Sequence, residues 1–194
     1  MTDTTPPSDG HDGLDTGRII STLEQHGVDY LLVGGLAAAA HGATRLTYDF
    51  DCLADRSDDN LDRLASALVE LGARYRVGGL TDAEARALPT IIDRRTLGSA
   101  AISTWRTDAG DVDVMTEMSV GKGVRRQYDE LVEASIEVRI SDDVVRIAAL
   151  DDIIASKRYA NRSKDQAALP ELDQISRRRR RELEQDLDDD LDVS

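Results

Sequence analysis

Two aspartates separated by one residue are the first feature of this sequence that could do chemistry. Asp49 and Asp51 lie in the segment Leu-Thr-Tyr-Asp-Phe-Asp-Cys-Leu, which alternates with the period of a β-strand. Both carboxylates therefore share one face, where they repel each other when ionised. A divalent cation removes that repulsion, and Mg²⁺ commonly combines such carboxylates with substrate phosphates. The alternative is a pair of solvated aspartates on the polar face of a half-exposed strand.

Two adjacent glycines precede this acidic pair. Gly34 and Gly35 follow an apolar strand predicted over 30–33 and open an alanine-rich helix predicted over 36–41. Glycines at such a turn allow the backbone to approach a phosphate closely, and the free N–H groups of a helix start favour anions. A tight turn without a ligand is the alternative. Together with the acidic pair, the turn favours displacement at a phosphoryl group held by metal.

A third acid would complete a two-metal site, and Asp111 and Asp113 are the candidates. They share one face of a strand predicted over 111–115, which forms a hairpin with residues 100–107 through the turn at 108–110. Asp113 is preferred because apolar residues flank it inside the strand. Asp111 is nearer the turn, so we expect it to be solvated. Either residue could also be a turn acid without a ligand.

The stretch from Gly34 to Asp51 resembles the first motif of the AbiEii and MenT group of nucleotidyltransferase toxins, in the DNA polymerase β superfamily. The shared pattern is a Gly-Gly turn, a helix, and Arg-x-Thr-x-Asp-x-Asp beginning at Arg45. Residues 149–165 look like the family's later helix, which carries a lysine, here Lys157, followed by an Arg-x-Lys-Asp element. The resemblance covers roughly residues 28–55 and 110–165, and the segment 73–98 matches nothing recognisable.

This resemblance implies a Mg²⁺-dependent nucleotidyltransferase that takes a nucleoside triphosphate (NTP) as substrate. By this resemblance two Mg²⁺ ions are held by Asp49, Asp51 and Asp113, which act in catalysis together with Lys157. The nucleotide-binding residues are expected to be Gly34, Gly35, Thr47, Lys157 and Asp165. Asp165 would orient Lys157 or Lys164. Some relatives are controlled by phosphorylation of a residue beside the acidic pair, and Thr47 occupies that position here. The alternative is that Thr47 is only a β-branched residue that suits a strand.

The resemblance also implies an acceptor and a biological role. In the MenT group the acceptor is the 3′ end of tRNA, so we expect the toxin of a toxin–antitoxin system, with a cognate antitoxin as a possible partner. Other relatives transfer AMP to a protein side chain. A catalytically silent relative that only binds a partner is the non-enzyme alternative. A dinucleotide-binding domain is disfavoured because the sequence lacks the full Gly-x-Gly-x-x-Gly spacing. An EF-hand calcium loop is excluded because it would need glycine where Ala54 stands.

The charge distribution limits which partners the protein can bind. The net charge is −14, but four aspartates lie in residues 1–15 and seven acidic residues in 182–194, which leaves −3 for residues 16–181. An RNA partner is therefore compatible with the electrostatics. Candidate RNA contacts are Arg74, Arg76, Arg94, Arg95, Arg125, Arg126 and Arg158. The arginines at 177–181 could hold RNA, pair with the acidic tail or be solvated.

Localisation is expected to be cytoplasmic, without a membrane partner. The sequence has one cysteine, Cys52, and no apolar run of the roughly 20 residues that span a bilayer. Its N-terminus lacks the basic and apolar regions of a signal peptide.

The elements that must position these residues indicate an α+β (mixed α/β) fold, with a small mixed central sheet flanked by helices and followed by C-terminal helices. The expected division is a disordered lead at 1–14, a nucleotidyltransferase core at 15–147, a helical segment completing the site at 148–185 and an acidic tail at 186–194. Further strands are predicted at 46–53, 136–140 and 144–147, and further helices at 58–71, 82–88, 122–131 and 148–160. Leu46 and Tyr48 are expected to face the core with Phe50 and Cys52.

Overall fold

The computed structural model of the protein describes residues 13–140 and 142–192, so the predicted disordered lead lies almost wholly outside the described residues. Its strands are β1 (Tyr30–Leu32), β2 (Asp49–Ala54), β3 (Arg74–Tyr75), β4 (Ile102–Thr107), β5 (Gly110–Met115), β6 (Met118–Gly121), β7 (Val124–Arg126), β8 (Ile136–Ile140) and β9 (Asp143–Ile147). Its helices are α1 (Thr16–Gln25), α2 (Gly34–Ala40), α3 (Asp58–Glu70), α4 (Asp82–Ala87), α5 (Arg94–Gly98), α6 (Tyr128–Leu131), α7 (Leu150–Ala160) and α8 (Ser163–Asp192).

In the described ranges, seven strands form one mixed sheet in the order β3-β4-β5-β2-β1-β9-β8, and β6 pairs with β7 separately. The strand β2 is antiparallel to β1 and parallel to β5. The predicted hairpins β4–β5 and β8–β9 are both antiparallel. The mixed sheet with flanking and C-terminal helices confirms the predicted fold class.

The core lies where apolar faces of the sheet and helices meet. Phe50 and Cys52 of β2 are fully buried, as their place in the strand period predicts. Trp105 of β4 is also fully buried and stacks on Tyr75 of β3 with ring centroids 5.1 Å apart. Burial of each large apolar side chain stabilises the fold by about 1.5–3 kcal/mol. This buried layer fixes the opposite face of β2 and β5 as the polar one.

The expectation that Leu46 and Tyr48 face the core is wrong. These side chains are 83% and 78% exposed, and β2 begins only at Asp49. The reason is the neighbouring strand, because β5 begins at Gly110 and its ladder with β2 starts at the pair Asp49↔Asp111. Residues 46–48 therefore have no strand beside them on which the alternation could continue.

The helix predicted over 122–131 is also wrong in its first half. Val124–Arg126 forms β7 and pairs with β6, and Gly123 between them has a φ of 72°. The helix α6 begins at Tyr128, where Gln127 and Glu130 form a capping box. The local turn thus outweighs the helical propensity of the segment.

Smaller differences concern element ends. The helix α2 begins at Gly34, two residues earlier than predicted, and α3 ends at Glu70, one residue before the predicted end. Asp15 caps α1 and accepts the backbone N–H of Arg18 at 3.0 Å. The backbone of α8 stays helical to Asp192, within the predicted acidic tail. The division into core, helical segment and tail stays a prediction.

None of the helices in the described part of the chain combines the length and the apolar character that crossing a bilayer requires.

Candidate active site

Three carboxylates converge on one face of the sheet. The parallel register of β2 and β5 places Asp49 opposite Asp111 and Asp51 opposite Asp113. Asp49, Asp51 and Asp113 each offer one oxygen, and these oxygens lie within 4.8 Å of one another. Asp113 is therefore the third acid of the cluster, as preferred over Asp111. Hard oxygen ligands at this spacing suit Mg²⁺.

The glycine turn lies directly against this cluster. Gly34 has a φ of 66°, and a Cβ added there would lie 2.0 Å from Oδ2 of Asp51. A Cβ added at Gly35 would lie 2.5 Å from Oγ1 of Thr47. The backbone N–H of Gly35 donates a hydrogen bond to the Asp51 carboxylate. Only glycine at position 34 combines this backbone conformation with this approach.

The electrostatics of the cluster favour a cation. Burial raises the pKa of Asp51 to about 6, and the charges of Asp49 and Asp113 add to the rise. Burial also raises the pKa of Asp113, although Arg76 opposes that rise. Oδ1 of Asp113 is buried and has no aligned hydrogen-bond donor within the described residues. Nη2 of Arg76 lies 3.0 Å from this oxygen without an aligned hydrogen bond, so Oδ1 keeps a position for a metal ion, and the three carboxylates fit a divalent cation.

The C-terminal helices bring positive charge to the same place. Nζ of Lys164 lies 3.8 Å from Asp49, and Nζ of Lys157 lies 3.7 Å from Asp165. The Asp165 side chain is fully buried and accepts Nε of Arg162 at 2.7 Å. Burial alone would raise the pKa of Asp165, but the bonds from Arg162 and the charge of Lys157 lower it below its usual value. Asp165 thus stays ionised and holds two cations beside the cavity.

The segment before β2 is fixed at two points. Glu171 of α8 accepts both the backbone N–H and the hydroxyl of Thr44, each at 2.8 Å. Three residues later, Oγ1 of Thr47 donates to Oδ1 of Asp49 at 2.8 Å. These bonds hold residues 43–48 across the start of α2.

One cavity of about 450 Å³ joins the acidic cluster, the glycine turn, Thr47 and the cations of the C-terminal helices. The predicted site residues that line it are Gly34, Gly35, Thr47, Asp49, Asp51, Asp113, Lys157 and Asp165. The structure therefore brings together every residue that the sequence predicts for the site.

Several residues at or near the cluster were not assigned to it from the sequence. Arg76 reaches Asp113 and Asp111, although it was predicted as an RNA contact. Asp111 is only partly solvated, because its side chain is 24% exposed and both Arg76 and Arg106 bind it. The pair Arg106↔Asp111 in the β4–β5 register was readable from the predicted hairpin, because directly opposed residues share a face. Arg76 comes from residues 73–98, where the sequence pattern is ambiguous.

Other predicted RNA contacts are engaged within the protein. Arg74 is only 6% exposed and binds Asp108 at 3.1 Å, so its prediction as an RNA contact is wrong. Arg94 pairs with Asp62, and Arg158 pairs with Asp173. Arg125 lines the cavity and pairs with Glu117.

His41 is a structural residue at the end of α2. It is buried, its Nε2 lies 2.8 Å from the carbonyl of Ala148, and its Nδ1 lies 2.8 Å from Arg179. A carbonyl only accepts and a guanidinium only donates, so the ring is the neutral Nε2–H tautomer. Burial lowers the pKa of His41; the Ala148 bond opposes this shift and Arg179 adds to it.

Comparison with solved structures identifies the fold. The lincosamide antibiotic adenylyltransferase LnuA superposes with a TM-score of 0.55 at 12% identity, covering 84% of this chain and 99% of LnuA. ANT(2″)-Ia, in complex with adenylyl-2″-tobramycin, superposes with a TM-score of 0.50 at 14% identity, covering 80% of this chain and 84% of that one. No protein-family model and no curated protein sequence matches the chain. The protein therefore has the nucleotidyltransferase fold.

Proposed function

We propose that the protein is a Mg²⁺-dependent nucleotidyltransferase that transfers a nucleotide from an NTP to an acceptor hydroxyl. The observation that carries this proposal is the convergence of Asp49, Asp51 and Asp113 beside the Gly34-Gly35 turn. The solvated-pair alternative is disfavoured, because isolated strand aspartates need neither a glycine turn against them nor a third carboxylate with a buried oxygen. A silent binding module is disfavoured by the same intact set of acids.

The reaction forms a bond between the acceptor oxygen and the α-phosphorus and breaks the bond to the bridging oxygen of pyrophosphate. Mg²⁺ bound by the three acids supplies acidification of the acceptor hydroxyl and neutralisation of the leaving group. Asp113, at the edge of the cluster away from the glycine turn, accepts the hydroxyl proton. Lys157 and Lys164 place positive charge against the phosphates. Asp165 holds Lys157 in position.

For the acceptor we propose the 3′ end of an RNA, with tRNA as the first candidate, which makes the protein a candidate toxin of a toxin–antitoxin system. Side chains in and next to the cavity favour a polynucleotide as the acceptor. Tyr48 and Tyr159 are 78% and 48% exposed, Tyr159 lines the cavity, and Tyr48 lies between two lining residues. Arg45 also lines it and has no ion pair within the described residues. Exposed aromatics among cations are typical of single-strand binding.

A small-molecule acceptor is the second candidate. LnuA is a lincosamide antibiotic adenylyltransferase, and ANT(2″)-Ia is bound to an adenylylated tobramycin. The cavity of about 450 Å³ has the size that holds a drug-sized ligand, and Met115, Met118 and Ile102 give it an apolar portion. This candidate predicts transfer to a soluble compound rather than to RNA.

One experiment tests the activity and separates the acceptors. The protein is incubated with each α-³²P-labelled NTP, Mg²⁺ and, in separate reactions, total RNA, total protein, lincomycin and tobramycin. We expect label at RNA 3′ ends with the wild type and none with Asp49→Ala, which should remain folded by circular dichroism. Label in protein would instead identify an AMP-transferring enzyme. Unchanged labelling in Asp49→Ala would refute the assignment of the site.

We also propose that phosphorylation of Thr47 would switch the enzyme off. Its hydroxyl lies 2.8 Å from Oδ1 of Asp49. A phosphate there would add about −1.5 to −2 charge beside the cluster and remove the donated hydrogen bond. Thr47→Glu should therefore lose activity while Thr47→Ser keeps it.

A further inference from the structure

An arginine from the edge of the sheet reaches the third acid of the cluster. Arg76 directly follows β3, and its backbone N–H bonds to the carbonyl of Thr104 in β4 at 3.4 Å. This bond extends the β3–β4 pairing by one step and aims the Arg76 side chain across the polar face of the sheet. Its Nη2 lies 3.0 Å from Oδ1 and 3.4 Å from Oδ2 of Asp113.

Asp111 holds the other side of the same guanidinium. Nη1 of Arg76 lies 3.4 Å from Oδ2 of Asp111, while Oδ1 of Asp111 accepts Nε of Arg106 at 3.1 Å. Arg106 stands directly opposite Asp111 in the β4–β5 register. The chain of contacts therefore runs from Arg106 through Asp111 and Arg76 to Asp113.

The contact between Arg76 and Asp113 is asymmetric. The hydrogen bond is made to Oδ2 of Asp113, whereas Oδ1 is close to Nη2 but out of line with its N–H. Oδ2 thus accepts the hydrogen bond, while Oδ1 is paired with Arg76 by charge alone and has no aligned donor within the described residues. All four side chains of the chain are less than one-third exposed, so bulk solvent screens them incompletely.

We propose that Arg76, held by Asp111 and Arg106, is the positioning residue that fixes the rotamer of Asp113 and leaves its Oδ1 for the divalent cation. This inference rests on the proposed function. Arg76 has two opposing effects: its fork orients the carboxylate, and its charge weakens cation binding at the same place. A residue that only stabilises the fold has no such opposition.

The opposing effects give a distinctive signature for Arg76→Ala. Loss of a positive charge near the cluster should tighten Mn²⁺ binding to the NTP-free protein about tenfold, measured by electron paramagnetic resonance. Loss of orientation should lower kcat roughly ten- to a hundredfold, with KM for the NTP unchanged. Arg76→Lys should keep wild-type Mn²⁺ affinity and yet lose kcat, because an ammonium cannot reach both carboxylates as a fork does.

Asp111→Asn should move Mn²⁺ affinity in the other direction. It removes a negative charge and releases Arg76 to pair fully with Asp113, so we expect several-fold weaker binding together with lower kcat. Arg146→Ala is the matched control, because Arg146 pairs with Glu137 on the β8–β9 hairpin away from the cluster and its loss should change neither quantity.

The outcomes separate this inference from the proposed function. If Arg76→Ala weakens Mn²⁺ binding, or leaves kcat unchanged, the positioning role is overturned while the enzyme assignment stands. If wild-type protein neither binds Mn²⁺ in a way that Asp51→Asn abolishes nor transfers any nucleotide, the proposed function itself is refuted.

Discussion

The ionised carboxylate of Asp51 destabilises the folded protein when no metal ion is bound. Its carboxylate lies against the glycine turn, is largely buried and faces two further acids. The rise of its pKa to about 6 means that folding opposes its ionisation at neutral pH. Such a conflict is typical of sites built to receive a cation rather than to stabilise the fold.

Asp51→Asn should therefore stabilise the metal-free protein. The folded pKa of Asp51 lies above its usual value of 3.8, so its contribution to stability is present below about pH 4 and is lost as pH rises through about 6. At pH 7 the variant should gain on the order of 2 kcal/mol in free energy of unfolding, and almost nothing at pH 4. Urea unfolding at both pH values measures this.

Two further measurements make that prediction specific. Saturating Mg²⁺ should stabilise the wild type and not the variant, so the difference in unfolding free energy between the two proteins should be smaller with Mg²⁺ than without it. Glu133→Gln, an exposed acid, should show no comparable gain. An equal gain at pH 4 and pH 7 would argue against a charge effect at Asp51.

Gly34→Ala should damage the site more than the fold. The added Cβ would meet Asp51 at 2.0 Å in a left-handed backbone conformation. We expect a loss of about 1–3 kcal/mol in unfolding free energy, and loss of detectable Mg²⁺–NTP binding by calorimetry. Gly78→Ala is the control, because Gly78 has open space around it and an ordinary φ. If Gly34→Ala bound the NTP as tightly as the wild type, the glycine turn would not be part of the phosphate-binding site.

The strand period predicted the common face of the acids, the glycines were predicted from their place after an apolar strand, and Lys157 was predicted from the family resemblance. The structure places all of these residues around one cavity, and their roles stay predictions. The sequence was insufficient for Arg76 and for its contacts with Asp111 and Asp113. Those contacts depend on how β3 pairs with β4, and a two-residue strand carries too little alternation to predict its register.

At the scale of elements, the segment 43–48 shows how tertiary contacts override a pattern. Its last three residues, 46–48, were predicted as strand, but no neighbouring strand extends beside them, and Glu171 of α8 binds Thr44 just before them. Hydrogen bonds between distant parts of the chain are not encoded in local periodicity. The helix α8 therefore determines where the residues before β2 lie.

Glu171→Ala should loosen this segment selectively. Loss of two hydrogen bonds to a carboxylate should cost about 1 kcal/mol locally and speed amide hydrogen exchange in residues 43–48 several-fold. KM for the NTP should rise, because Thr47 and Arg45 are carried by this segment. Glu171→Gln keeps an acceptor and should have a smaller effect. Unchanged exchange in Glu171→Ala would show that other contacts fix the segment.

At the scale of the whole molecule, His41 joins three parts of the fold. It ends α2, bonds to Ala148 before α7 and receives Arg179 of α8. Protonation would turn the Nδ1 lone pair into a second N–H facing a guanidinium, which repels it. The packing of the C-terminal helices against the sheet thus depends on a neutral ring.

Acid should therefore loosen the molecule through His41. Its folded pKa lies below the usual 6.5, so the unfolded chain binds the extra proton first, and stability is complete above about pH 6.5 and falls as pH decreases below it. His41→Asn should be less stable at pH 7 but should lose part of this decline between pH 7 and pH 5. Melting temperatures across that range test it, and a decline as steep in the variant would rule out His41 as its source.

The side-by-side pairing of β2 and β5 has a consequence for how this protein could diverge. The two strands that carry the acidic cluster are fixed to each other through the sheet, while residues 77–101 between them only have to leave the sheet and return to it. Descendants could lengthen, shorten or exchange that excursion without shifting one acid relative to another. Distant relatives would then keep the acidic cluster while the number of residues between its two strands varies. A new acceptor preference could arise through changes in the same segment.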